Sequence, residues 1–335
     1  MKKILVIGGT GAMGVYVVPE LVKMGYEVHV PSLEDTTSPE GANPKFFKAN
    51  MKDIDTLKEV LAQKYDAIID YLVYPEYEFH DRYKLFLDNT SHYIYLSSYR
   101  IYAGDCPINE ESGRLLDVMT DKNYLDMWGR EYSLYKAVGE DVLRNSGYKN
   151  WSIVRPAITY SQRRFQLVTL EAYAVVNRAL DGKKLVLPKE AKNVRGTMSW
   201  AGDVAKMFTG ILFNERAYGE AFTFATAENH TWGEIADIYN ELTGLECVWV
   251  DKEDYCDIIN PDLIQVKWQL EYDRLFDRVI DNSKILDVAG MKQEDFMSLK
   301  DGLAKELAGL PEGFRFPDPS GLNDRMDEYL KKHNL

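Results

Sequence analysis

Residues 4–14 read Ile4-Leu5-Val6-Ile7-Gly8-Gly9-Thr10-Gly11-Ala12-Met13-Gly14. The four apolar residues form a continuous run closed by glycine, which suits a strand buried on both faces. A helical pattern follows from about Ala12 to Met24 and stops at Gly25. Glycines 8, 11 and 14 thus fall in the turn between a strand and a helix. Glycine lets the backbone turn sharply and approach a ligand, while the free N–H groups of a helix N-terminus point at a pyrophosphate. In a chain with 23 glycines among 335 positions this register arises by chance about 0.1 times, before the strand-turn-helix context is required. The segment predicts a dinucleotide site on Gly8, Thr10, Gly11, Ala12, Met13 and Gly14.

The pattern repeats outward from that turn. Val28-His29-Val30 is a second strand, which Pro31 is expected to end, and Pro19 is expected to kink the helix before it. Asp53 can cap a helix with Ile54, Leu57, Val60 and Leu61 on one face, and Ala67-Ile68-Ile69 is a third buried strand. Pro75 opens a helix carrying Phe79, Tyr83, Phe86 and Leu87; Tyr93–Leu96 is a strand, Glu131–Arg144 a helix and Trp151–Val154 a strand. Such alternation predicts an α/β chain with a doubly wound parallel sheet of the Rossmann type. Beyond Arg155-Pro156 the rhythm changes to a long helix over Gln166–Leu180, a helix after Gly202-Asp203, strands at Ala221–Phe224 and Cys247–Val250, and otherwise helices. The expected division is a dinucleotide domain over 1–160, with 196–225 returning to it, and a smaller, mostly helical substrate lobe over 161–195 and 226–335.

Tyr132 and Lys136 stand four apart, so both lie on one face of the predicted helix. With 22 tyrosines in the chain about 1.6 such pairs are expected by chance, so the spacing alone is weak. Its context is Tyr95-Leu96-Ser97-Ser98, a strand that ends in two hydroxyls on the cofactor side of the sheet. A tyrosine acting as a base near neutral pH must lower its pKa by about three units from 10, or roughly 4 kcal/mol, which a neighbouring ammonium and a nicotinamide cation can supply. Ser98, Tyr132 and Lys136 are therefore the candidate catalytic set. The ribose-reading position falls at Ser32, with Glu34 and Asp35 beyond it and no Arg or Lys to hold a 2′-phosphate, which favours NAD without excluding NADP. Tyr71, Leu72 and Ser97, at strand ends, join the cofactor site, as do Tyr132 and Lys136. Tyr74, Tyr99, Arg100 and Tyr160 are candidate substrate contacts, and Arg195 a candidate for an anionic group of the substrate.

Charge and composition narrow the partners. The net charge is −13 and the pI near 5.0, so neither nucleic acid nor a membrane surface is an expected partner. With 45% hydrophobic and 28% charged residues, the chain has enough apolar side chains for a core and no apolar run long enough to span a membrane. The three cysteines, Cys106, Cys247 and Cys256, share no metal-ligand spacing with the five histidines, so no metal site is expected. The apolar run after Lys2-Lys3 is too short for a signal peptide, and the chain is read as cytoplasmic, a monomer or homodimer acting on a small molecule.

Together these motifs resemble the short-chain dehydrogenase/reductase superfamily in its extended or atypical form, the NAD-dependent epimerase/dehydratase family. Ser98 lies four residues before Tyr102, as that family's hydroxyl residue does. Ala49–Asp53 resembles its adenine-contacting segment, which implies Asn50 and Met51 as cofactor residues. Val154–Ile158 is similar to the strand that closes over nicotinamide, which implies Pro156, Ala157 and Ile158. Arg195–Ala205 resembles the return segment and Val279–Leu286 the late helix. The resemblance implies an oxidoreductase or epimerase moving hydride to or from a secondary alcohol or ketone of a sugar-like substrate. Tyr99-Arg100 replaces the Asp-Glu of the family's sugar 4,6-dehydratases, which argues against dehydration. Ile158-Thr159 stands where nucleotide-sugar epimerases often have Asn, and the short span from Asp70 to Ser98 implies an altered dimer interface. The alternative is a non-catalytic dinucleotide-sensing or RNA-binding regulatory protein of the same fold.

Overall fold

The order of strands in the central sheet follows from the buried runs. In a computed structural model describing residues 1–35, 37–75, 77–259 and 264–335, β1 (Lys3–Ile7) leads through the glycine turn into α1 (Gly14–Lys23). β2 (Glu27–Ser32) pairs in parallel with β1, and β3 (Lys45–Lys48) joins the far side of β2. The chain then crosses through α2 (Ile54–Leu61) to β4 (Tyr65–Asp70) on the other side of β1. α3 (Tyr83–Leu87), β5 (Thr90–Leu96), two one-turn helices α4 (Leu115–Val118) and α5 (Lys122–Leu125), α6 (Tyr132–Arg144) and β6 (Trp151–Pro156) complete the first half.

The second half holds β7 (Ile158–Tyr160), a hairpin of β8 (Gln166–Leu167) and β9 (Leu170–Glu171), α7 (Ala172–Leu180), β10 (Leu185–Pro188), β11 (Arg195–Gly196), β12 (Met198–Trp200) and α8 (Ala201–Ile211). β13 (Glu220–Phe224) returns to the sheet beside β6. It is followed by β14 (His230–Thr231), α9 (Trp232–Thr243), β15 (Cys247–Val250), α10 (Lys252–Ile259), α11 (Ile264–Gln269), a π-type turn at Leu270–Arg274, α12 (Ser283–Ala289), α13 (Leu299–Ala308) and α14 (Leu322–His333). The seven-stranded sheet is parallel throughout, in the order β13-β6-β5-β4-β1-β2-β3. Strand order reverses at β1 and β4, and such a switch point opens a crevice at the carboxyl ends of the strands.

Alternation along β1 explains its uninterrupted hydrophobicity. Ile4 and Val6 pack under α1 and α8, whereas Leu5 and Ile7 face the side of α2 and α3. Both faces are covered from Ile4 to Ile7, so these four positions do not tolerate a polar side chain, whereas Lys3 at the strand's start reaches Glu27 at the surface. The expected helix over Pro19 is continuous through that proline.

Four sequence expectations change. Pro31 does not end β2: the strand runs to Ser32, and Pro31 is in register with Phe47 of β3. The ladder to β1 stops at His29, and the Ser32 carbonyl turns to β3 to accept from Ala49, so the missing Pro31 N–H falls on the unpaired side. The helix expected from Pro75 is α3 alone. Arg82 N–H reaches Phe79 O, and the Glu78 carbonyl that an α-helix would offer it accepts from the Arg82 guanidinium at 2.7 Å instead. The first residues of the expected Gln166–Leu180 helix form the β8–β9 hairpin around Val168, whose carbonyl accepts from Arg274 Nε at 2.7 Å. The late helix starts at Ser283, because Val279–Asp281 bonds to Ile108 through its backbone. β3, with charged residues at both ends of Phe46-Phe47, was not expected at all.

Candidate active site

The glycine turn is shaped by contacts that forbid side chains. Gly8 has φ +76°, a conformation that favours glycine, and a Cβ there would lie 3.1 Å from Tyr71 Cβ. A Cβ on Gly14 would lie 2.1 Å from the Gly9 carbonyl oxygen, so α1 rests directly on the turn backbone. α1 begins without a side-chain cap and without an acidic residue in its first turn; Val15, Tyr16 and Val17 N–H bond back to the Gly11 and Met13 carbonyls, which leaves the N–H groups of Ala12, Met13 and Gly14 for an anion. Beside the turn a cleft of about 360 Å³ is lined by Gly8, Thr10, Ser32, Asn50, Met51 and Leu72 of the sequence-derived cofactor set, together with Leu33, Glu34 and Lys52. Volume, small side chains and free N–H groups fit the adenosine half of a dinucleotide. Ser97 Oγ is buried and unpartnered among the described residues, a further donor at the same strand ends.

α6 carries the other half. Glu131 caps it, accepting from Ser133 N–H and from Ser133 Oγ at 3.0 Å, so Tyr132 enters at the first turn. Gly139 lets the helix lie against β5, since a Cβ there would meet Tyr95 Oη at 2.2 Å. Glu140 locks α6 to β6 through two bonds from Arg155, at 2.8 and 2.6 Å. Lys136 is thereby fully buried, and its Nζ donates to Leu96 O at 2.5 Å and Leu72 O at 3.2 Å, the ends of β5 and β4. Burial lowers its pKa to about 8, against the opposing charges of Asp70 and Glu140. Asp70 is completely buried, accepts from Tyr74 and Tyr93 at 2.8 Å each, and is itself pushed up by desolvation.

Tyr132 lies with its ring 5.8 Å from Lys136 Nζ and 5.1 Å from the Arg100 guanidinium carbon. Burial raises its pKa, and the groups that pull it back are the charges of Arg100 and Arg164 and hydrogen bonding from Ser98. The sequence expectation credited the ammonium of Lys136; among the protein groups named here the lowering charges are guanidinium. Ser98, two residues beyond β5, is extended, and its Oγ accepts from Arg100 N–H at 3.2 Å to cap the short turn Tyr99–Ile101. Ser98, Tyr132 and Lys136 therefore meet at the carboxyl end of the sheet, next to the glycine turn.

Around them stands a set of arginines. Arg100 reaches Glu131 at 3.1 Å and Asp273 at 3.4 Å. Arg274 donates to Tyr99 Oη at 2.8 Å and contacts Asp273, which also holds Arg278 at 3.1 Å. Asp273 and Arg274 come from the π-type turn, a feature often found at functional sites.

The remaining candidates divide. Pro156, Ala157 and Ile158 are buried where β6 runs into β7, with Ala157 N–H bonded to Phe224 O. Tyr71 packs edge-on against Phe208. Tyr74 and Tyr99 have their hydroxyls engaged by Asp70 and Arg274, and Tyr160 packs inside on Gly302. Arg195 lies at the surface, bonded to Asn229 at 2.8 Å, apart from the Tyr132 cluster. Unexpected neighbours are Lys52 in the adenosine-side cleft, and Arg163, Phe314 and Phe316, which face Thr10, Gly11 and Ala12 across a second cleft of about 540 Å³. An acid closing a buried strand, as Asp70 does, and the Arg163-Arg164 pair, separated from β7 by two residues, were the available sequence signals. Among the described residues no group of His, Cys, Asp and Glu could hold a metal, no helix is long and apolar enough to cross a membrane, and the cysteines are free.

Residues 4–90 match the model of the NAD dependent epimerase/dehydratase family. No curated protein matches the chain. Among solved structures it is similar to an epimerase of Methanothermobacter thermautotrophicus, with 16% identity and a TM-score of 0.67 over 99% of this chain and 94% of that one. It is also similar to the dTDP-glucose 4,6-dehydratase of Bacillus anthracis in complex with NAD, with 16% identity and a TM-score of 0.68 over 92% and 96%. A third is the UDP-glucose 4-epimerase of Thermotoga maritima with UDP-glucose, at 16% identity and a TM-score of 0.64 over 91% and 97%. The family match covers residues 4–90, about a quarter of the chain, and over its whole length the chain has the fold of these epimerases and dehydratases.

Proposed function

We propose that this protein is an NAD-dependent oxidoreductase or epimerase acting on a secondary alcohol or ketone of a sugar-like small molecule, with Ser98, Tyr132 and Lys136 as its proton-transfer set. The observation that carries this function is the convergence of the three side chains at the carboxyl ends of β4 and β5, beside a turn that only glycine can form. Ser98 orients the substrate oxygen, and the Tyr132 phenol exchanges the hydroxyl proton. Lys136 is held by two backbone carbonyls with its Nζ 5.8 Å from the Tyr132 ring, and one N–H remains for a ligand hydroxyl. NAD bound along the turn supplies the hydride acceptor and a positively charged ring. NAD is favoured over NADP because Glu34 lines the ribose end of the cleft, while Lys52 is paired with Glu78 at 3.6 Å. Arg100 occupies the place where a dehydratase needs its acid pair, so the net reaction is redox or inversion, not loss of water. The protein acts as a monomer or homodimer.

The test is a pair of measurements on the full chain. NAD and NADH titrations, with mass spectrometry of any nucleotide released on denaturation, should show binding of NAD(H) in preference to NADP(H). Tyr132→Phe should keep that binding and lose at least a hundredfold in turnover. No binding of either nucleotide overturns the proposal, and full biological activity in Tyr132→Phe favours the non-catalytic sensor.

A further inference from the structure

The arginine corner beside Tyr132 carries more positive charge than its acids neutralise. Among the described residues four guanidinium groups, Arg100, Arg164, Arg274 and Arg278, share three carboxylates, those of Glu131, Asp273 and Glu171. Arg274 and Arg278 are fully buried and fully engaged: Arg274 bonds Val168 O and Tyr99 Oη, and Arg278 bonds the Tyr102, Ala103 and Tyr272 carbonyls. Arg100 and Arg164 differ. Arg100 meets Glu131 through one terminal nitrogen, and its Nε is buried without a hydrogen-bond partner among the described residues, Asp273 lying at 3.4 Å. Arg164 touches Glu171 through one nitrogen at 3.3 Å and is half-buried.

Burying an excess of positive charge is unfavourable unless an anion completes it. The mutual repulsion is visible on Arg274, whose pKa is held down first by burial and further by Arg100 and Arg164. Guanidinium edges present parallel N–H groups at the spacing of carboxylate oxygens. The Arg100 guanidinium carbon is 5.1 Å from the Tyr132 ring, so an anion on it belongs to the same sugar-sized unit as the reacting carbon.

Building on the proposed function, we propose that the substrate is an acid: it presents a carboxylate to Arg100 and Arg164 while its carbinol faces Ser98 and Tyr132. The site selects uronic-acid-like or other polyhydroxy acids over their neutral counterparts. Excess positive charge at this corner is what an acidic substrate neutralises on entry.

Calorimetric titration of the NAD-loaded full chain with D-glucuronate and with D-glucose tests this, because the two differ only in the group presented to the arginines. Glucuronate should bind at least tenfold more tightly than glucose, and the preference should fall to less than threefold in Arg164→Gln and in Arg100→Lys, which keeps charge but loses the planar fork. Equal binding of acid and neutral sugar, no binding of glucuronate at millimolar concentration, or a preference unchanged in both variants overturns the proposal. NAD titration of the same proteins separates this outcome from failure of the cofactor assignment.

Discussion

The two sides of the crevice are built by opposite means. The glycine-turn side is backbone and small side chains: glycines that a Cβ would disrupt, a helix N-terminus without a side-chain cap, and a cleft of mostly short residues. The Tyr132 side is charged side chains drawn from β5, α6, the β7–β9 region and the π-type turn, meeting around Asp273. Local covalent geometry specifies the first, so it is robust to changes that spare the glycines. Mutual neutralisation holds the second, so single charge changes propagate through it.

Breaking the second side should cost most. Asp273→Asn removes the carboxylate shared by Arg100, Arg274 and Arg278 inside the protein, and loss of one partner of a buried ion cluster destabilises by about 3–5 kcal/mol. Urea unfolding at neutral pH measures it. A loss below about 1 kcal/mol would mean that the neutral acceptors around Arg274 and Arg278 suffice and that the charge count is irrelevant.

Gly14→Ala tests the first side. Its Cβ would sit 2.1 Å from a backbone oxygen, so α1 or the turn must shift, at a cost of about 3 kcal/mol and with loss of tight NAD binding. NADH fluorescence titration and calorimetry follow the two effects. Ser32→Ala in the same cleft should leave stability unchanged, which sharpens the contrast between backbone and side-chain dependence.

This contrast also explains what was legible beforehand. The glycine turn, the Asp53 cap of α2, and the Tyr132/Lys136 face of α6 are local patterns, and each is visible within a few residues. The arginine corner is not local: Arg100, Arg164, Asp273 and Arg274 become neighbours only when the π-type turn folds onto the end of β5. Arg274 also determines a secondary-structure difference, since its bond to Val168 O holds the hairpin where helical periodicity alone predicted α7 to begin. Pro31 misled for a related reason, because its tolerance depends on where the β1 ladder stops.

The sheet beneath both sides offers a test that belongs to neither. His92 on β5 is buried, bonded to Ser152 at 2.8 Å and to Phe213 N–H at 3.1 Å, and burial lowers its pKa to about 4. The unfolded chain therefore binds a proton at this site near pH 6.5 that the folded chain refuses until about pH 4. Its stabilising effect is complete above 6.5 and is lost as pH falls through that window, about 2 kcal/mol by pH 5. Unfolding free energies of wild type and His92→Asn at pH 7 and pH 5 should diverge by that amount; parallel profiles would show that His92 titrates normally.

The smallest effect has the opposite sign. Tyr95 lies against Lys136, its ring 5.0 Å from the Nζ, and its hydroxyl is buried without a partner among the described residues. An unsatisfied buried hydroxyl is a standing cost, so Tyr95→Phe should stabilise the protein by about 1 kcal/mol while preserving the contact of ring with ammonium. If Tyr95→Phe instead destabilised the protein, or lowered turnover without changing NAD affinity, the hydroxyl would have a partner. The buried groups of Lys136, Glu140 and Asp70, whose charges act on one another, would then form a connected polar path beneath Tyr132 and not three separate anchors. In that case the charged side of the crevice would extend through α6 into the floor of the sheet, and the division between a backbone-built side and a charge-built side would have to be redrawn at β4.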